Sequence, residues 1–216
     1  MRSILVWSWR LCRVLLPPIA AGVIAVTGSL LYLGPRLPSV DVLRDIRFQE
    51  QLRVYSRDGL LIGEFGEMRC TPVRFEQIPQ VLIQAMLAAE DDRFLSHHGV
   101  DFGGLTRAAW ELATTRSIQS GGSTITMQVA RNYFLSRDQT FVRKFNEILL
   151  ALQIERELDK QQILELYLNK IFLGYRAYGV EAAAQVYYGR PIQQLSLDEA
   201  ALIAGLPKAP SALNPL

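Results

Sequence analysis

Cysteine and histidine are scarce in this chain, and its charges nearly cancel. The 216 residues include two cysteines, Cys12 and Cys70, which excludes a disulfide framework. The two histidines, His97 and His98, are adjacent and match no zinc-ligand spacing such as HExxH. A net charge of +2, with basic residues scattered along the chain, argues against nucleic-acid binding. No internal repeat or low-complexity tract is present, and the length suits one substantial core with appendages.

A long uncharged segment lies near the N-terminus. Residues 14–33 read VLLPPIAAGVIAVTGSLLYL, and a helix of that length spans about 30 Å, the thickness of a bilayer's hydrocarbon core. Three arginines lie within residues 1–13, which predicts a cytoplasmic tail there and places the rest of the chain outside. The run is longer than that of a cleaved signal peptide, and no clear small-x-small site follows it. The sequence therefore predicts an uncleaved single-pass anchor, with the two cysteines on opposite sides of the membrane and unpaired.

The remainder is predicted to be mainly helical with a small β element. Residues 34–50 begin with a proline-punctuated stretch and are predicted to be a linker, and residues 51–216 a single domain. Alternating residues on both sides of Arg57-Asp58-Gly59 predict a β-hairpin. After it the apolar pattern is helical, and Pro79 is predicted to open the first helix of the domain.

Capping signals predict where later helices begin and end. Asp159 and Ser196 each lie three residues before a glutamine or glutamate, the spacing of a capping box. The helices that they open are predicted to end at Gly174 and Gly205, and the helix between them at Gly189.

An acidic stretch, EDDRFLSHHG, follows the first of these helices. Glu90, Asp91 and Asp92 lie at its C-terminus, where carboxylates oppose the helix dipole. Three interpretations stay open on spacing alone: a solvated helix end, a carboxylate held for acid–base chemistry, and a metal site shared with His97 and His98.

A second charged cluster lies on the long helix FVRKFNEILL. Arg143 and Lys144 neighbour Glu147 on the helix surface. This pattern suits an ordinary surface salt bridge, and it also suits a cationic site for phosphate. The SGGST turn that enters the preceding helix is a further candidate for binding an anion through its backbone N–H groups.

Five stretches together resemble the peptidoglycan glycosyltransferases of family 51. The matching motifs occur in order over about residues 50–216: EDDRFLSHHG (90–99), GGSTITMQ (121–128), RKFNE (143–147), ILELYLN (163–169) and RAYGVEAAAQVYYG (176–189). Met127 stands where the family has the first glutamine of the second motif. The sequence resembles the glycosyltransferase domain of class A penicillin-binding proteins, so a longer protein with a transpeptidase domain is expected. No Ser-x-x-Lys nucleophile of that transpeptidase is present here.

The resemblance implies a lysozyme-like helical domain and a role for each motif residue. It implies Glu90 as the general base and Glu147 as the second catalytic carboxylate. The expected substrate-binding residues are Asp91, Thr124, Gln128, Arg131, Asn132, Arg143, Lys144 and Arg176. The expected structural residues are Phe94, His97, Gly99, Gly122, Tyr167 and Asn169. A divalent cation, Mg²⁺ or Mn²⁺, at Glu147 is a further expectation, and no organic cofactor is expected.

The resemblance also implies what the chain acts on and where. Lipid II and the growing glycan strand are the expected substrates, polymerised with inversion at the outer face of the cytoplasmic membrane. Other cell-wall synthesis proteins are expected partners, and nucleic acid is not. A lysozyme-like muramidase and a non-catalytic cell-wall scaffold are the alternative functions. The Arg143-Lys144 pair argues against the first alternative and the two glutamates against the second.

Overall fold

The computed structural model describes residues 37–46, 52–65, 69–115, 122–135 and 140–215, with two isolated residues, 17 and 28. The chain divides into two compact units, residues 1–39 and 40–216, and nearly all of the described residues belong to the second. The predicted anchor lies outside the described residues, the two isolated ones aside. In the part of the chain that is described, every helix is too short or too polar to cross a bilayer. The predicted domain boundaries stay predictions, although residues 40–45 of the predicted linker form a short 3-10 helix.

The predicted hairpin is confirmed. Strands β1 (Leu52–Tyr55) and β2 (Leu61–Phe65) pair antiparallel, with a bulge at the end of β1. Ser56 N–H donates to the Leu60 carbonyl at 2.7 Å, and Gly59 supplies the positive φ of 80° that the turn requires.

The fold class is also confirmed, since helices form most of the described structure. They are α1 (Gln80–Glu90), α2 (Phe102–Thr115), α3 (Ile125–Phe134), α4 (Phe141–Glu157), α5 (Lys160–Lys170), α6 (Val180–Tyr188) and α7 (Leu197–Gly205). Short 3-10 helices occur at Phe75–Gln77, Ile192–Gln194 and Leu206–Lys208.

Both predicted capping boxes are present. The Asp159 carboxylate accepts from the Gln162 N–H at 2.8 Å, and the Gln162 side chain accepts from the Asp159 N–H at 3.0 Å. Ser196 opens α7 with the same reciprocal pattern. Helix α6 ends at Gly189 in the left-handed conformation and α7 ends at Gly205, both as predicted.

The predicted end of α5 is wrong, because the helix stops at Lys170 and not at Gly174. The next residue, Ile171, is extended, and its carbonyl accepts from the Gly179 N–H at 2.8 Å. Phe172 then pairs with Tyr178 in an isolated antiparallel bridge. Tyr178 belongs to β4 (Ala177–Tyr178), which pairs in parallel with β3 (Arg69–Cys70). Long-range pairing therefore draws the chain out of the helix before the glycine.

Helix α3 forms the centre of the core. All residues from Ile125 to Ala130 are buried, and the helix packs against both α4 and α5. Its two buried polar side chains are satisfied: the Thr126 hydroxyl donates to Glu155 at 2.7 Å, and the Gln128 amide donates to Glu90. Helix α1 packs against α7. The C-terminal end of α1 is thereby held against α3, and α7 lies alongside.

Candidate active site

A cavity of about 600 Å³ opens at the C-terminal end of α1. Residues of α3 and of the segment before it, the start of α2, and the end of α7 with the turn after it complete its walls. Its charged lining comprises four carboxylates and three cations: Glu90, Asp91, Asp92, Asp101, Arg107, Arg131 and Lys208. A concave site with convergent charged groups of both signs is suited to binding and transforming a polar ligand.

Glu90 is the last residue of α1 and is half-buried in the cavity wall. Its Oε2 accepts a hydrogen bond of 2.8 Å from Nε2 of Gln128. Burial raises the pKa of Glu90, and the neighbouring Asp91 also raises it, whereas the Gln128 hydrogen bond and the Arg131 charge lower it. Burial is the largest of these effects, so the carboxylate is a stronger base than an exposed glutamate.

Asp91 is buried and uses its carboxylate within the protein. Its Oδ2 accepts from the backbone N–H of Ile125 at 2.9 Å and lies 2.9 Å from Nε2 of His97. These bonds tie the end of α1 to the first turn of α3, where an anion is favoured by the helix dipole. The substrate-binding role expected for Asp91 stays a prediction, and the geometry gives it an anchoring one.

Residues 91–99 are held by a cation beneath them. Nζ of Lys160 lies 4.3 Å from the centre of the buried Phe94 ring. The same ammonium donates to the His97 carbonyl and to the Glu155 carboxylate, each at 2.7 Å. Three contacts from one side chain fix this stretch relative to α4 and α5.

The end of the same stretch passes close to α4 and to the start of α3. Gly99 has a φ of 86°, and a Cβ there would lie 2.7 Å from the carbonyl oxygen of Ala151. The Thr124 hydroxyl donates to the Gly99 carbonyl at 2.6 Å and accepts from the Met127 N–H as the cap of α3. Gly122 lies where a Cβ would meet Leu105 at 3.3 Å. Neither glycine leaves room for a larger residue without a shift of its neighbours.

Three of the four residues expected along α3 line the cavity. Thr124, Gln128 and Arg131 line the cavity, whereas Asn132 does not. Met127 is buried against an apolar cluster that includes Val100 and Ala151. The side chain at position 127 therefore faces the core in this chain, and its replacement of a glutamine removes no polar group from the cavity wall.

The second charged cluster adjoins the cavity without lining it. Glu147 is 1% exposed, and its two carboxylate oxygens are bound by Arg143 and Lys144 respectively. Lys144 also donates to the Ser123 hydroxyl at 2.6 Å, and Ser123 lines the cavity. A buried carboxylate thus orients two cations, one of which reaches the cavity rim through Ser123.

The other expected residues lie apart from the cavity or beneath it. The Asn169 side chain accepts from the Val73 N–H and donates to the Val73 carbonyl, each at 2.8 Å, like a strand neighbour. Arg176 is exposed at a φ of 63° in the turn before β4 and is not a cavity residue. Tyr167 is fully buried, and its hydroxyl has no hydrogen-bond partner among the described residues.

The donor set around Glu147 does not fit a resident divalent cation. Both of its oxygens already bind cationic side chains. Among the described residues, no three histidine, cysteine, aspartate or glutamate side chains come together as a metal site. The expected Mg²⁺ or Mn²⁺ stays a prediction, and no chemical step below is assigned to it.

Two cavity cations were not expected from the sequence. Arg107 lies on α2, one turn after the Asp101-Phe-Gly-Gly start of that helix, and Lys208 follows Pro207 in the turn after α7. Within the described residues, neither of them forms an ion pair. Gly103 and Gly104 before Arg107, and Pro207 before Lys208, are residues typical of turns. These neighbours were the sequence signal that could have placed the two cations beside a turn.

Comparisons with known proteins find a matching family model and close sequence relatives of this chain. A family model described as "Transglycosylase" matches residues 58–216. The chain is 61% identical over 213 residues to Penicillin-binding protein 1A of Pseudomonas aeruginosa, covering 99% of this chain and 26% of that protein. It is 52% identical over 198 residues to Penicillin-binding protein 1A of Escherichia coli, covering 92% of this chain and 23% of that protein. The chain thus spans about a quarter of the length of these relatives.

The chain is also similar to solved structures, among them a penicillin-binding protein. The crystal structure of Penicillin-Binding Protein 1A from Haemophilus influenzae aligns with 79% of this chain and 16% of that chain, at 37% identity and a TM-score of 0.41. A superposition at that score is too loose to bear on the fold, and the family assignment rests on the sequence matches.

Proposed function

Because this chain belongs to the transglycosylase family, we propose that it is a peptidoglycan glycosyltransferase. It polymerises lipid II into β-1,4-linked glycan strands and releases undecaprenyl pyrophosphate. The observation that carries the proposal is the half-buried Glu90, hydrogen-bonded to Gln128 in a cavity that also presents three cationic side chains. This arrangement supplies a base for a hydroxyl and positive charge for a departing anion.

Glu90 is the general base in this proposal. The acceptor's 4-hydroxyl oxygen attacks the anomeric carbon of the donor, and its proton passes to Glu90. The Gln128 amide binds Oε2 of Glu90, and among the described residues no hydrogen bond is made to Oε1. Oε1 is therefore available to the hydroxyl of the acceptor. The new bond joins the acceptor oxygen to the donor carbon as the bond from that carbon to phosphate breaks. Attack opposite the leaving group converts an α-linked donor into a β-linked product.

The departing pyrophosphate carries the electron pair of the broken bond and needs positive charge around it. Arg131, Arg107 and Lys208 line the cavity, and Lys144 approaches through Ser123. Positive charge that is already present in the cavity wall stabilises the negative charge that develops there. Glu147 acts by orienting Arg143 and Lys144, since both of its oxygens bind them.

The proposal includes a location and partners. A polyprenyl-linked substrate stays in the bilayer, so an anchor at residues 14–33 brings the domain to it at the outer face of the cytoplasmic membrane. The growing strand is the second substrate, and other cell-wall synthesis proteins are the expected partners. Flotation of the chain with liposomes, compared with a chain that lacks residues 1–36, tests the anchor.

Polymerisation of purified lipid II is the test of the reaction. We expect wild-type protein to form glycan strands and Glu90→Gln to lose about 100-fold or more of the rate, because the base is removed while the Gln128 contact can persist. Glu76→Gln is the control, since Glu76 is exposed and is not among the residues that line the cavity. A Glu90→Gln protein that polymerises at the wild-type rate contradicts the assignment of the base.

Two further arms of the same assay separate the alternatives. Incubation with preformed glycan strands reports hydrolysis, and cleavage without polymerisation favours a muramidase. Addition of a chelator tests the expected divalent cation, since an unchanged rate argues that the reaction runs on the protein's own cations.

A further inference from the structure

The ammonium group of Lys160 is bound on several sides although no step of the proposed reaction uses it. Lys160 is the first residue of α5, and its Nζ donates to the His97 carbonyl and to the Glu155 carboxylate, each at 2.7 Å. The same Nζ lies 4.3 Å from the centre of the buried Phe94 ring. The Lys160 side chain is 23% exposed, so its charge acts mainly on these contacts inside the domain.

One branch of the contacts leads to the end of α1. His97, whose carbonyl binds Lys160, places its Nε2 2.9 Å from Oδ2 of Asp91. Asp91 directly follows Glu90 in the chain, and the same Oδ2 accepts from the Ile125 N–H at 2.9 Å. Lys160 is therefore linked through one residue, His97, to the neighbour of the base.

A second branch leads to the start of α3. Oε1 of Glu155, which binds Lys160, also accepts from the Thr126 hydroxyl at 2.7 Å. Thr126 lies in the first turn of α3, two residues before Gln128. The Glu155 side chain is only 6% exposed, so its charge is stabilised by these two partners rather than by water. The two branches thus reach both partners of the Glu90–Gln128 hydrogen bond.

The Glu90–Gln128 bond depends on how α1 and α3 are placed relative to each other. Helix α1 packs mainly against α7, whereas α3 packs against α4 and α5. The bond itself is 2.8 Å long, and a displacement of about 1 Å would take it beyond hydrogen-bonding distance. Contacts that tie residues 91–99 to α3, α4 and α5 therefore control whether the bond forms.

We infer that Lys160 is a positioning residue for the base, because it aligns Glu90 with Gln128 by binding residues 91–99 and the Glu155 partner of α3 with one ammonium group. The inference deepens the proposed function and rests on it, since the alignment affects the rate only where Glu90 is the base. Lys160 is not among the residues that line the cavity. Its removal therefore takes no charge from the cavity wall, and any loss of rate is transmitted through these contacts.

Lys160→Met removes the ammonium group and keeps an unbranched side chain, and Lys170→Met is the matched control. Lys170 is the last residue of α5, and its Nζ lies 5.6 Å from the centre of the Tyr133 ring. The control therefore removes a cation near an aromatic ring from the other end of the same helix. Lipid II polymerisation by the full chain is measured under conditions in which urea unfolding shows every variant to be folded.

The kinetic signature of positioning is a loss of kcat without a loss of binding. We expect Lys160→Met to lower kcat about tenfold, the loss expected for the Glu90–Gln128 bond itself. KM for lipid II should stay within about twofold of wild type, because the cavity wall is unchanged. Lys170→Met should match wild type in both constants. A wild-type kcat in Lys160→Met overturns the inference.

A double-mutant cycle with Gln128→Met separates positioning from a general loss of stability. Once the Glu90–Gln128 bond is absent, its alignment no longer matters, so Lys160→Met should then lower kcat by less than about twofold. A purely structural role of Lys160 instead predicts independent effects, whose product is a loss of about 100-fold in the double variant. Independent effects of that kind overturn the inference.

A second pair of variants covers the case in which Lys160→Met fails to fold. Removal of Lys160 leaves the Glu155 carboxylate buried without its cation, which is the main risk to folding. Glu155→Gln removes that charge, and its amide oxygen can still accept from Thr126. The cycle is then run with Glu155→Gln as the reference chain, and independent losses from Lys160→Met and Gln128→Met overturn the inference equally.

Titration of Glu90 gives a readout that does not depend on turnover. The Gln128 hydrogen bond lowers the pKa of Glu90, so a weakened bond should move the titration midpoint to higher pH. The full chain is labelled with ¹³C at glutamate carboxyl carbons, and the Glu90 signal is assigned from its absence in Glu90→Gln. The variants leave in place the charges of Asp91 and Arg131 that act on Glu90.

The midpoint should rise in Lys160→Met, as in Gln128→Met, and should stay unchanged in Lys170→Met. An unmoved midpoint in folded Lys160→Met overturns the inference even where polymerisation is not observed. Wild-type protein whose Glu90 responds as expected but that forms no polymer would instead count against the proposed function.

Discussion

The Gln128 amide and the Glu90 carboxylate are joined by a hydrogen bond of 2.8 Å across 38 residues of sequence. The bond links the last residue of α1 to the first full turn of α3. It engages one carboxylate oxygen and leaves the other without a partner among the described residues. An amide that cannot be protonated thereby fixes the direction of a base without competing for its proton.

Gln128→Met should lower the polymerisation rate about tenfold, because a hydrogen bond to a charged group is lost. This bond lowers the pKa of Glu90, so its loss should also move the acidic limb of the pH–rate profile to higher pH. Initial rates between pH 4 and pH 9 measure both effects. Gln193→Met is the control, since the Gln193 amide donates to the Gln77 carbonyl at 2.8 Å on the surface. Superimposable profiles for wild type and Gln128→Met would contradict the prediction.

Glu90→Gln should be more heat-stable than wild type at neutral pH. Burial raises the pKa of Glu90, so the protonated carboxyl stabilises the fold fully below its unfolded pKa. That contribution is lost as pH rises through the folded pKa, and the ionised group then lowers the free energy of unfolding. We expect a melting temperature on the order of 2 °C higher for the variant at pH 7, with the gap closing under acid. Circular dichroism melts at pH 7 and at acidic pH measure this difference in melting temperature. A variant that is less stable than wild type at pH 7 would contradict the prediction.

His97→Ala should destabilise the domain by about 2 kcal/mol, because the buried Asp91 carboxylate loses a hydrogen-bond partner. His97 lies 2.9 Å from Asp91, whereas the adjacent His98 is exposed. His98→Ala is therefore a matched control, expected to stay within about 0.5 kcal/mol of wild type. Urea unfolding monitored by tryptophan fluorescence provides the comparison. Equal losses in the two variants would show that the Asp91–His97 contact is not what matters.

Gly99→Ala and Gly59→Ala separate crowding from backbone strain. Both glycines have positive φ, 86° and 80°, but a Cβ at Gly59 meets nothing within 4 Å, whereas one at Gly99 meets Ala151. We expect a cost of about 1 kcal/mol for Gly59→Ala, from the left-handed conformation alone. Gly99→Ala should cost about 3 kcal/mol, because overpacking against α4 adds to that strain. Chemical denaturation measures both, and similar costs would argue that α4 yields to the added methyl group.

Lys208→Gln should weaken substrate binding more than turnover. Lys208 lines the cavity rim and is exposed, so it approaches an anionic ligand through a solvated contact. A rise of about threefold in KM for lipid II, with a smaller change in kcat, is the expected size for such a contact. Arg57→Gln, in the exposed hairpin turn, removes the same charge away from the cavity. A variant that loses kcat at unchanged KM would assign Lys208 to the chemical step instead.

Features decided within a few residues were predictable from the sequence. The capping boxes at Asp159 and Ser196 and the turn at Gly59 depend on side chains three or four positions apart, and each is present. The end of α5 was not predictable in this way. Ile171 and Phe172 are drawn into pairing with Gly179 and Tyr178, and no local signal competes with those bonds.

The site, too, has features that the sequence predicts and features that depend on long-range contacts. Spacing alone left Glu90 as one of three adjacent acids, and the ordered motifs singled it out. The structure distinguishes the acids by contacts that periodicity does not encode: Asp91 turns inward to His97 and Ile125, while Asp92 is exposed. Lys208 lines the cavity because α7 packs against α1, and no pattern in the sequence predicts that packing. Long-range neighbours of this kind are fixed by the tertiary fold.

The packing of α1 against α7 also has a consequence for biosynthesis. Residues 91–196 separate the two helices, yet both contribute walls to the cavity that contains Glu90. On the ribosome, Glu90 is translated long before the turn that carries Lys208. A nascent chain that has only just exposed α6 therefore holds the base and its amide partner without the wall opposite them. The cavity is therefore complete only after α7 and the turn that follows it have been translated and have packed against α1.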